Sequence, residues 1–548
     1  MTAGTSGRAK SVVRIGIATA VLHVLLIQPN HPLAMTWDAL LLFPLELPVI
    51  ILGLLALGRS WVGSAFRVLI TGGLTLIFIL KSADFISFTA LSRGFNPVTD
   101  LSLIDAFIRL MAGSLGPALT IATLVLGTVS ILAVIGACWW ATGVWAKLHV
   151  PRPLAWGAAP AAILAASLAA AEVGQVMDDW PLPFEPPGAA FTARLGAERI
   201  EMVRNTRAEL RTFRQAAAND PFESADTLFE AIDRDVLIIF VESYGRTSFD
   251  TPLFADLHLE TLSRYGADLA ELGLSQRSGF LTSPTRGGQS WLSHATFANG
   301  LWVNNQISYA AALSSGRQSL YHHAAEAGFR TATVMPQITL EWPESERMGF
   351  EQVLVANDLG YGGVPLNWVT MPDQFTLAAL DRLVRNNPDP RRLFAQVVLV
   401  SSHAPWVPVP EILPWDAVGD GSVYDDLMAT SDPPDVVWRD RDRVRAQYRL
   451  AVDYALQSVF EYALLHAEDP PLILVLGDHQ AAEFIALDDR AEVPLHVIGP
   501  ADLVDQLSHV APTAGLIPAD DVPVIAMDSL RDILLTAYSM QSDQQLGN

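Results

Sequence analysis

Apolar residues crowd into the first third of this chain, where they form five runs near the length that a membrane span requires. A helix needs about 20 apolar residues to cross the hydrocarbon core of a bilayer. The runs cover residues 12–28, 40–57, 66–80, 116–140 and 154–171. Hydrophobic residues make up 51% of the 548, and the mean hydropathy is +0.30. We therefore predict a bundle of five transmembrane helices, followed by a soluble part.

Basic residues around these runs predict their orientation. Arg8 and Lys10 precede the first run as in a signal peptide, but no small-residue cleavage site follows it, so an uncleaved span is expected. Further Lys and Arg residues lie between the second and third runs, and between the fourth and fifth. Cytoplasmic loops carry the excess of Lys and Arg. The pattern places the N-terminus in the cytoplasm and everything after about residue 171 outside it.

A proline-rich break, DDWPLPFEPP at residues 178–187, follows the last apolar run and indicates the start of a linker. Residues 190–217 are polar with helical spacing, which is typical of a surface helix. The predicted domains are a transmembrane domain at residues 1–172, a largely helical extracytoplasmic linker at 173–232 and a soluble domain at 233–548.

Strand and helix patterns alternate from residue 235 onward. Strands are predicted at residues 236–241, 331–335, 394–401, 472–476 and 495–498, and helices at 257–272, 318–327, 375–384, 443–466 and 529–540. This alternation predicts an α/β domain with a mainly parallel central sheet, covered by helices on both faces. Residues 411–438, rich in Pro, Asp and Gly, are predicted to form a long loop.

Two of the predicted strands end in acidic residues. DVLIIFVESY has Glu242 directly after its apolar run, and PLILVLGDH has Asp478 and His479 after its own. Ligands bind at the carboxyl ends of strands in open α/β sheets, and a buried carboxylate there needs a partner. Glu242 alone fits a metal ligand, a catalytic acid or base, or a structural ion pair. Two strands that bring Glu and Asp-His to one sheet edge together predict a metal site.

Candidate nucleophiles lie between the first two predicted strands, in SPTRGGQSWLSHATFANG. Ser290 starts a helical pattern after Gly-Gly-Gln, so it fits either an N-cap or a nucleophile beside helix N–H groups that can bind an anion. Thr285 is a second hydroxyl close by. The GxSxG elbow is absent, and a hydroxyl can instead be activated by metal coordination. His403 follows another buried strand and is predicted at the same edge, whereas His294 is given no role.

The net charge limits the possible partners. The chain has 35 Lys and Arg against 58 Asp and Glu, which gives a formal net charge of −23. Nucleic acid binding needs a basic face, so no nucleic acid partner is expected. Cys138 is the single cysteine, which excludes a disulfide within the chain.

Four motifs in order carry a resemblance: the VES strand end, the hydroxyl after it, the Ser-His-Ala-Pro-Trp segment and the late GDH. Together they resemble the alkaline phosphatase/sulfatase superfamily. With five spans the chain is most similar to lipoteichoic acid synthases and related phosphoglycerol transferases, and phosphoethanolamine transferases share the layout. The resemblance implies an enzyme of the bacterial inner membrane with its catalytic domain outside the cytoplasm.

The implied reaction moves a phosphoglycerol or phosphoethanolamine headgroup from a phospholipid donor to an extracytoplasmic glycan or lipid acceptor. It would pass through a covalent phospho-Ser or phospho-Thr intermediate. The alternative is a hydrolase of the same superfamily, either a sulfatase or a phosphodiesterase or phosphatase. The Cys/Ser-x-Pro-Ser-Arg signature of sulfatases is absent, because Trp-Leu-Ser follows Ser290, and this counts against sulfate ester hydrolysis.

The resemblance also implies a set of site residues. One divalent metal ion, manganese first and zinc or magnesium as alternatives, would be held by Glu242, Ser290, Asp478 and His479. Ser290 is the implied nucleophile, although the family more often has Thr, and Thr285 stays open. His403 would contact the substrate phosphate. Trp342 matches the Trp of a substrate-binding Trp-x-Arg motif, but the nearest arginine is Arg347 and the spacing fails.

Overall fold

The computed structural model describes residues 3–91, 93–177, 182–225, 227–339 and 342–539. The chain divides into two compact units, Met1–Glu209 and Leu210–Asn548. The domain limits predicted from the sequence, after residues 172 and 232, differ from this division and stay a prediction. Residues 178–181, the first part of the predicted proline-rich break, lie outside the described residues.

The first unit is helical. Its helices are Ala3–Ile27, Glu46–Leu57, Trp61–Leu91, Ile104–Leu115, Pro117–Ala146 and Arg152–Met177, with 3-10 turns at Pro32–Ala34, Trp37–Leu41 and Asp100–Leu103. A further helix, Phe191–Ala218, begins in this unit and continues past its end at Glu209. Among the described residues, four stretches are long and apolar enough to cross a membrane: Ala9–Ile27, Trp61–Thr89, Pro117–Ala146 and Arg152–Met177. The unit therefore has four membrane-length helices rather than the five predicted.

The second predicted span, residues 40–57, accounts for this difference. Only Glu46–Leu57 is α-helical there, and its 12 residues reach about 18 Å at about 1.5 Å per residue. The hydrocarbon core is about 30 Å thick. The chain before this helix is extended, because Pro44 lacks an N–H and forms a β-bridge with Ala189. The N–H of Leu45 donates to the Ala189 carbonyl at 3.0 Å, a pairing that a run of apolar residues does not reveal.

The third span is longer than its apolar run, because the helix continues past two charged residues. Helix Trp61–Leu91 contains Lys81 and Asp84, and both side chains are buried. Lys81 Nζ donates to the carbonyl of Leu26 at 2.9 Å, and Asp84 forms an ion pair with Arg199. Charged groups in membrane helices persist when the protein itself supplies their partners. These two residues therefore belong to the helix and do not mark its end.

The second unit is built on one mixed sheet. In the described residues its strands are β1 (Val236–Val241), β2 (Ser275–Thr282), β3 (Arg330–Met335), β4 (Gln352–Val355), β5 (Leu393–Leu399), β6 (Leu472–Gly477), β7 (Glu492–Gly499), β8 (Thr513–Ala514) and β9 (Val524–Ala526). They lie in the order β4-β3-β5-β1-β6-β7-β2-β8, and β9 pairs with β2. The pairings from β4 to β6 are parallel, whereas β7 is antiparallel to both β6 and β2. The predicted mainly parallel sheet is thus confirmed, with an antiparallel region beyond β6.

Helices cover both faces of this sheet. Those of eight residues or more are Pro252–Glu271, Ser290–Asn299, Gln306–Ser314, Asp373–Leu380, Arg441–Leu465 and Ser529–Ala537, and shorter ones are Thr247–Asp250, Leu320–Glu326, Asp425–Thr430, Pro434–Val437, Glu483–Ala486 and Ala501–Val504. Ile238 and Phe240 of β1 belong to one hydrophobic cluster, and Leu237 and Ile239 to another. Successive side chains of a strand point to opposite faces, so these clusters are the two covered faces. Burial on both faces explains why β1 is apolar without alternation.

Candidate metal centre and active site

The register of the sheet brings the two acidic strand ends together. β1 and β6 are parallel neighbours in which Val241 pairs with Gly477. The residues that follow, Glu242 and Asp478, therefore leave the sheet side by side at its carboxyl edge. A glycine is needed at position 477, because a Cβ there would lie 1.8 Å from the carbonyl oxygen of Tyr244.

Glu242, Asp478 and His479 form a buried group whose ligand atoms all lie within 4.8 Å of one another. His479 Nε2 is 3.2 Å from Glu242 Oε1. Burial excludes the water that would otherwise screen the repulsion between two carboxylates. The group therefore requires a positive charge held between its members.

The contacts around this group leave ligand atoms free for a cation. The backbone N–H of Ser243 donates to Asp478 Oδ1 at 2.9 Å, while Asp478 Oδ2 is buried without a hydrogen-bond partner among the described residues. The Nδ1–H of His479 donates to the Gln480 carbonyl at 3.0 Å, which leaves Nε2, facing Glu242, as the ring atom available to a cation. A buried oxygen without a partner needs an explanation, and an imidazole oriented through its second nitrogen is typical of metal ligands. These residues fit a metal ion.

The proton affinities of the three groups lead to the same conclusion. Burial, together with the charge of Glu242, raises the pKa of Asp478. Burial alone would lower the pKa of His479, but the carboxylates of Asp478 and Glu242 outweigh it and raise the pKa. Burial would likewise raise the pKa of Glu242, but the charge of His479 lowers it overall. The His479 proton supplies positive charge that a divalent cation would supply in its place.

Ser290 lies against this group. Its Oγ donates to Glu242 Oε2 at 2.9 Å and is 3.3 Å from His479 Nε2. Helix Ser290–Asn299 begins at this residue, and its N-cap is Gln289, so the N-cap interpretation of Ser290 is wrong. The backbone reaches this position through consecutive positive φ angles of 70° at Gly287, 140° at Gly288 and 68° at Gln289. A positive φ is uncommon for a residue other than glycine, and here it turns the Ser290 side chain toward the site.

Thr285 contacts different partners. Its Oγ1 is 3.2 Å from Ser293 Oγ, which is in turn 2.9 Å from Ser283 Oγ. Ser283 Oγ donates to the backbone carbonyl of Asp478 at 2.6 Å. The Thr285 hydroxyl thus belongs to a hydroxyl network behind the site, while Ser290 contacts the ligand side chains directly.

His403 lies in the loop after β5, and the neighbouring residue ties this loop to the site. Ser402 Oγ donates to the backbone carbonyl of Glu242 at 2.6 Å. The Nδ1–H of His403 donates to the Ala404 carbonyl at 2.6 Å, which leaves Nε2 for a substrate. The charge of His403 also helps to lower the pKa of Glu242, after the larger effects of burial and His479. The Ser402 hydrogen bond therefore fixes the loop that carries His403 to the end of β1, next to Glu242.

Comparisons with known proteins bear on the fold. The structure is similar to that of the lipooligosaccharide phosphoethanolamine transferase EptA from Neisseria meningitidis, with 14% identity, a TM-score of 0.51 and coverage of 94% of this chain and 95% of that one. This likeness shows that the chain shares the fold of EptA. The resemblance seen in the four sequence motifs is thus confirmed at the level of the fold, and the match to EptA includes the helical first unit.

Two further solved structures match part of the chain. One is the lipoteichoic acid synthase LtaP from Listeria monocytogenes, with 13% identity, a TM-score of 0.37 and coverage of 61% of this chain and 79% of that one. The other is the phosphoglycerol transferase GacH from Streptococcus pyogenes, in complex with sn-glycerol-1-phosphate. It has 14% identity, a TM-score of 0.33 and coverage of 61% of this chain and 91% of that one. No protein-family model and no curated protein matches the sequence.

The tryptophan predicted at this site and the tryptophan that lies beside His403 are different residues. Trp342 packs against Phe350, with ring centres 6.5 Å apart, and no described contact joins it to the buried group. Trp368, which was not predicted, lies beside His403 with ring centres 6.2 Å apart. Nothing in its sequence context, VPLNWVT, distinguishes it from other tryptophans, because only the folded chain brings residues 368 and 403 together.

The donor set is compatible with several metals. Two carboxylates, one imidazole and one hydroxyl make a mainly oxygen-rich site, which suits manganese, magnesium or zinc. The buried Glu-Asp-His group could hold a metal ion, and it does not distinguish among these metals.

Proposed function

We propose that this protein is a metal-dependent, membrane-anchored phosphotransferase with Ser290 as its nucleophile. The observation that carries the proposal is the contact of Ser290 Oγ with Glu242 and His479, at the edge of a buried group suited to a cation. The group transferred is the phosphoglycerol or phosphoethanolamine headgroup of a phospholipid. The acceptor is an extracytoplasmic glycan or lipid.

The first half of the reaction loads the headgroup onto Ser290. A divalent cation bound by Glu242, Asp478 and His479 would lower the pKa of the serine hydroxyl and offset the charge of the phosphate oxygens. Ser290 Oγ already donates its hydrogen bond to Glu242 Oε2, so its proton has an acceptor. The bond from Oγ to phosphorus forms while the bond from phosphorus to the diacylglycerol oxygen breaks, and His403 donates a proton to that leaving oxygen.

The second half reverses these roles. An acceptor hydroxyl attacks the phosphoserine and His403 takes the proton of that hydroxyl. The bond from phosphorus to the Ser290 oxygen breaks, and this oxygen takes back the proton that Glu242 accepted in the first half. Because His403 holds its Nδ1–H on the Ala404 carbonyl, one nitrogen, Nε2, serves both half-reactions. The same chemistry with water as acceptor would make the protein a phosphodiesterase, which is the second candidate function.

The fate of a labelled headgroup distinguishes transfer from hydrolysis. The full-length protein in liposomes, with Mn²⁺, would receive phosphatidylglycerol or phosphatidylethanolamine radiolabelled in the headgroup phosphate, together with a membrane extract as acceptor. We expect label on a glycan or lipid product and an equal amount of diacylglycerol. Label found only in water-soluble headgroup phosphate would establish the hydrolase, and label that stays in the donor would contradict both functions.

The proposed periplasmic placement of the second unit requires an odd number of crossings from a cytoplasmic N-terminus. Four membrane-length helices give an even number, so the short helix Glu46–Leu57 must also cross. The extended stretch at Pro44 adds about 3.3 Å per residue, and its backbone is paired with Ala189. Non-helical backbone is tolerated at membrane depth where the protein satisfies its hydrogen bonds. We therefore propose that this stretch and its helix cross together.

Two engineered cysteines test this topology. In a chain with Cys138 replaced by alanine, Ser422→Cys in the second unit should react with a membrane-impermeant maleimide on intact cells. Arg59→Cys, directly after the short helix, should react only after lysis. Both positions are exposed in the structure. The reverse pattern would mean that the short helix does not cross and that the second unit lies in the cytoplasm.

A further inference from the structure

Trp368 is a partly exposed indole beside His403 that the reaction steps above do not use. Its ring lies 6.2 Å from the His403 ring at an interplanar angle of 30°, and the residue is 37% exposed. Tryptophan combines a large apolar face with a polar edge, and it is enriched among the residues that dominate binding. Its position next to the proposed proton donor places this face where a substrate would lie.

A tight turn holds Trp368 in this position. Leu366 and Val369 exchange backbone hydrogen bonds of 2.8 and 3.1 Å, and both are buried. Asn367, at the tip of the turn, has a φ of 60°, in the left-handed region that non-glycine residues seldom adopt. Its Nδ2 donates to the Val407 carbonyl at 2.7 Å, in the segment that follows His403. The turn anchors the residues on both sides of Trp368 and leaves the indole partly exposed, so the ring is presented with little conformational freedom.

Two polar side chains lie next to the turn. Gln337 Nε2 donates to the Trp368 carbonyl at 3.3 Å, and the His403 ring lies beside the indole. No carboxylate is among the described partners of Trp368. A flat apolar face with no carboxylate to pair with a cation suits a polyhydroxylated ring better than an ammonium group.

We propose that Trp368 is the platform on which a sugar ring of the acceptor stacks, so that one hydroxyl of that ring meets His403. The inference rests on the proposed function, since it selects a glycan or glycolipid acceptor over a simple lipid. The apolar C–H face of a pyranose would lie on the indole. The competing occupant is the ammonium group of a phosphoethanolamine donor, held by a cation–π contact.

Saturation-transfer NMR on the full-length protein in lipid nanodiscs tests the platform without requiring turnover. The probes are maltose and chitobiose, with ethanolamine as the competing occupant. We expect saturation of the ring protons of at least one disaccharide, with affinity about tenfold weaker in Trp368→Ala and largely restored in Trp368→Phe, which keeps an aromatic face. Trp438→Phe is the matched control, because Trp438 is an exposed indole of the same unit that stacks on Trp406 instead.

The outcomes separate this inference from the proposed function. A Trp368→Ala protein that binds the disaccharides as tightly as the wild type would overturn the platform, as would a wild type that binds neither sugar. A Trp368 effect confined to ethanolamine would assign the ring to the donor headgroup and also overturn it. In the labelled-headgroup assay, we expect Trp368→Ala to raise the KM for the acceptor extract about tenfold and to leave the KM for the donor unchanged. If sugar binding depends on Trp368 but the protein transfers no label, the proposed function is contradicted while the sugar platform stands.

Discussion

Replacing Ser290 with alanine is expected to lower the rate of headgroup transfer by at least about 10³-fold, because removal of a nucleophile leaves only binding and electrostatic stabilisation. Folding should persist, since Ser290 is only partly buried and Gln289, not Ser290, is the N-cap. The initial rate with radiolabelled donor measures the loss. Mass spectrometry after an acid quench should find a phosphoserine at residue 290 in the wild type.

Thr285→Ala is the control for this prediction. Thr285 Oγ1 contacts Ser293 rather than the buried acidic group, so we expect less than a tenfold loss of rate and an unchanged phosphoserine at residue 290. An inactive Thr285→Ala protein beside an active Ser290→Ala protein would move the nucleophile to Thr285. Full transfer by both variants would contradict covalent catalysis by either hydroxyl.

Asp478→Asn is expected to weaken binding of the divalent ion by at least about 100-fold and to reduce transfer to a similar degree. Changes of groups that only support metal ligands already cost about 10- to 100-fold in affinity, and this change removes a ligand charge. The substitution keeps the side-chain shape and the acceptor for the Ser243 N–H, so the strand should stay in place. Elemental analysis of the purified protein and a titration with Mn²⁺ measure the effect.

Asp453→Asn provides the matched control, since Asp453 is also a buried carboxylate of the second unit. Its partners are Thr261 and Gln457, and it is not part of the buried Glu-Asp-His group. We expect its metal content to equal that of the wild type. Equal metal content and affinity in Asp478→Asn would show that the buried carboxylates do not hold the ion.

Most of the sheet could be predicted because burial on both faces leaves strands that are mainly apolar. β1 and β6 are unbroken apolar runs, and β3, β5 and β7, which each contain polar residues, were also predicted. β2, whose sequence is SQRSGFLT, was missed, since its first four residues are polar and its partners are antiparallel or short. β4, β8 and β9 have two to four residues each, too few for a periodic signal. A strand that is stabilised mainly by pairing with its neighbours shows no clear pattern in its own sequence.

In the helical unit the sequence predicted a membrane-length helix that the structure does not contain at that position. The apolar run at residues 40–57 has the composition of a span, yet the chain there is partly extended because Pro44 and Leu45 pair with the chain at Ala189. The apolar run at residues 66–80 stops before Lys81 and Asp84, yet helix Trp61–Leu91 continues past both, because partners from distant parts of the first unit hold their side chains. Hydropathy measures what a segment contains and not which other segments supply its hydrogen bonds.

The sequence by itself determined the chemical identity of the candidate site, because a buried strand that ends in an acid must deliver that acid to the carboxyl edge of a parallel sheet. Glu242, Asp478 and His479 are recognisable for that reason. Only the tertiary structure decided that β1 and β6 are neighbours in matching register, that the turn at Gly287–Gln289 presents Ser290 rather than Thr285, and that Trp368 lies beside His403. Those relations join residues far apart in the chain, and they arise from packing and backbone conformation that no single segment encodes.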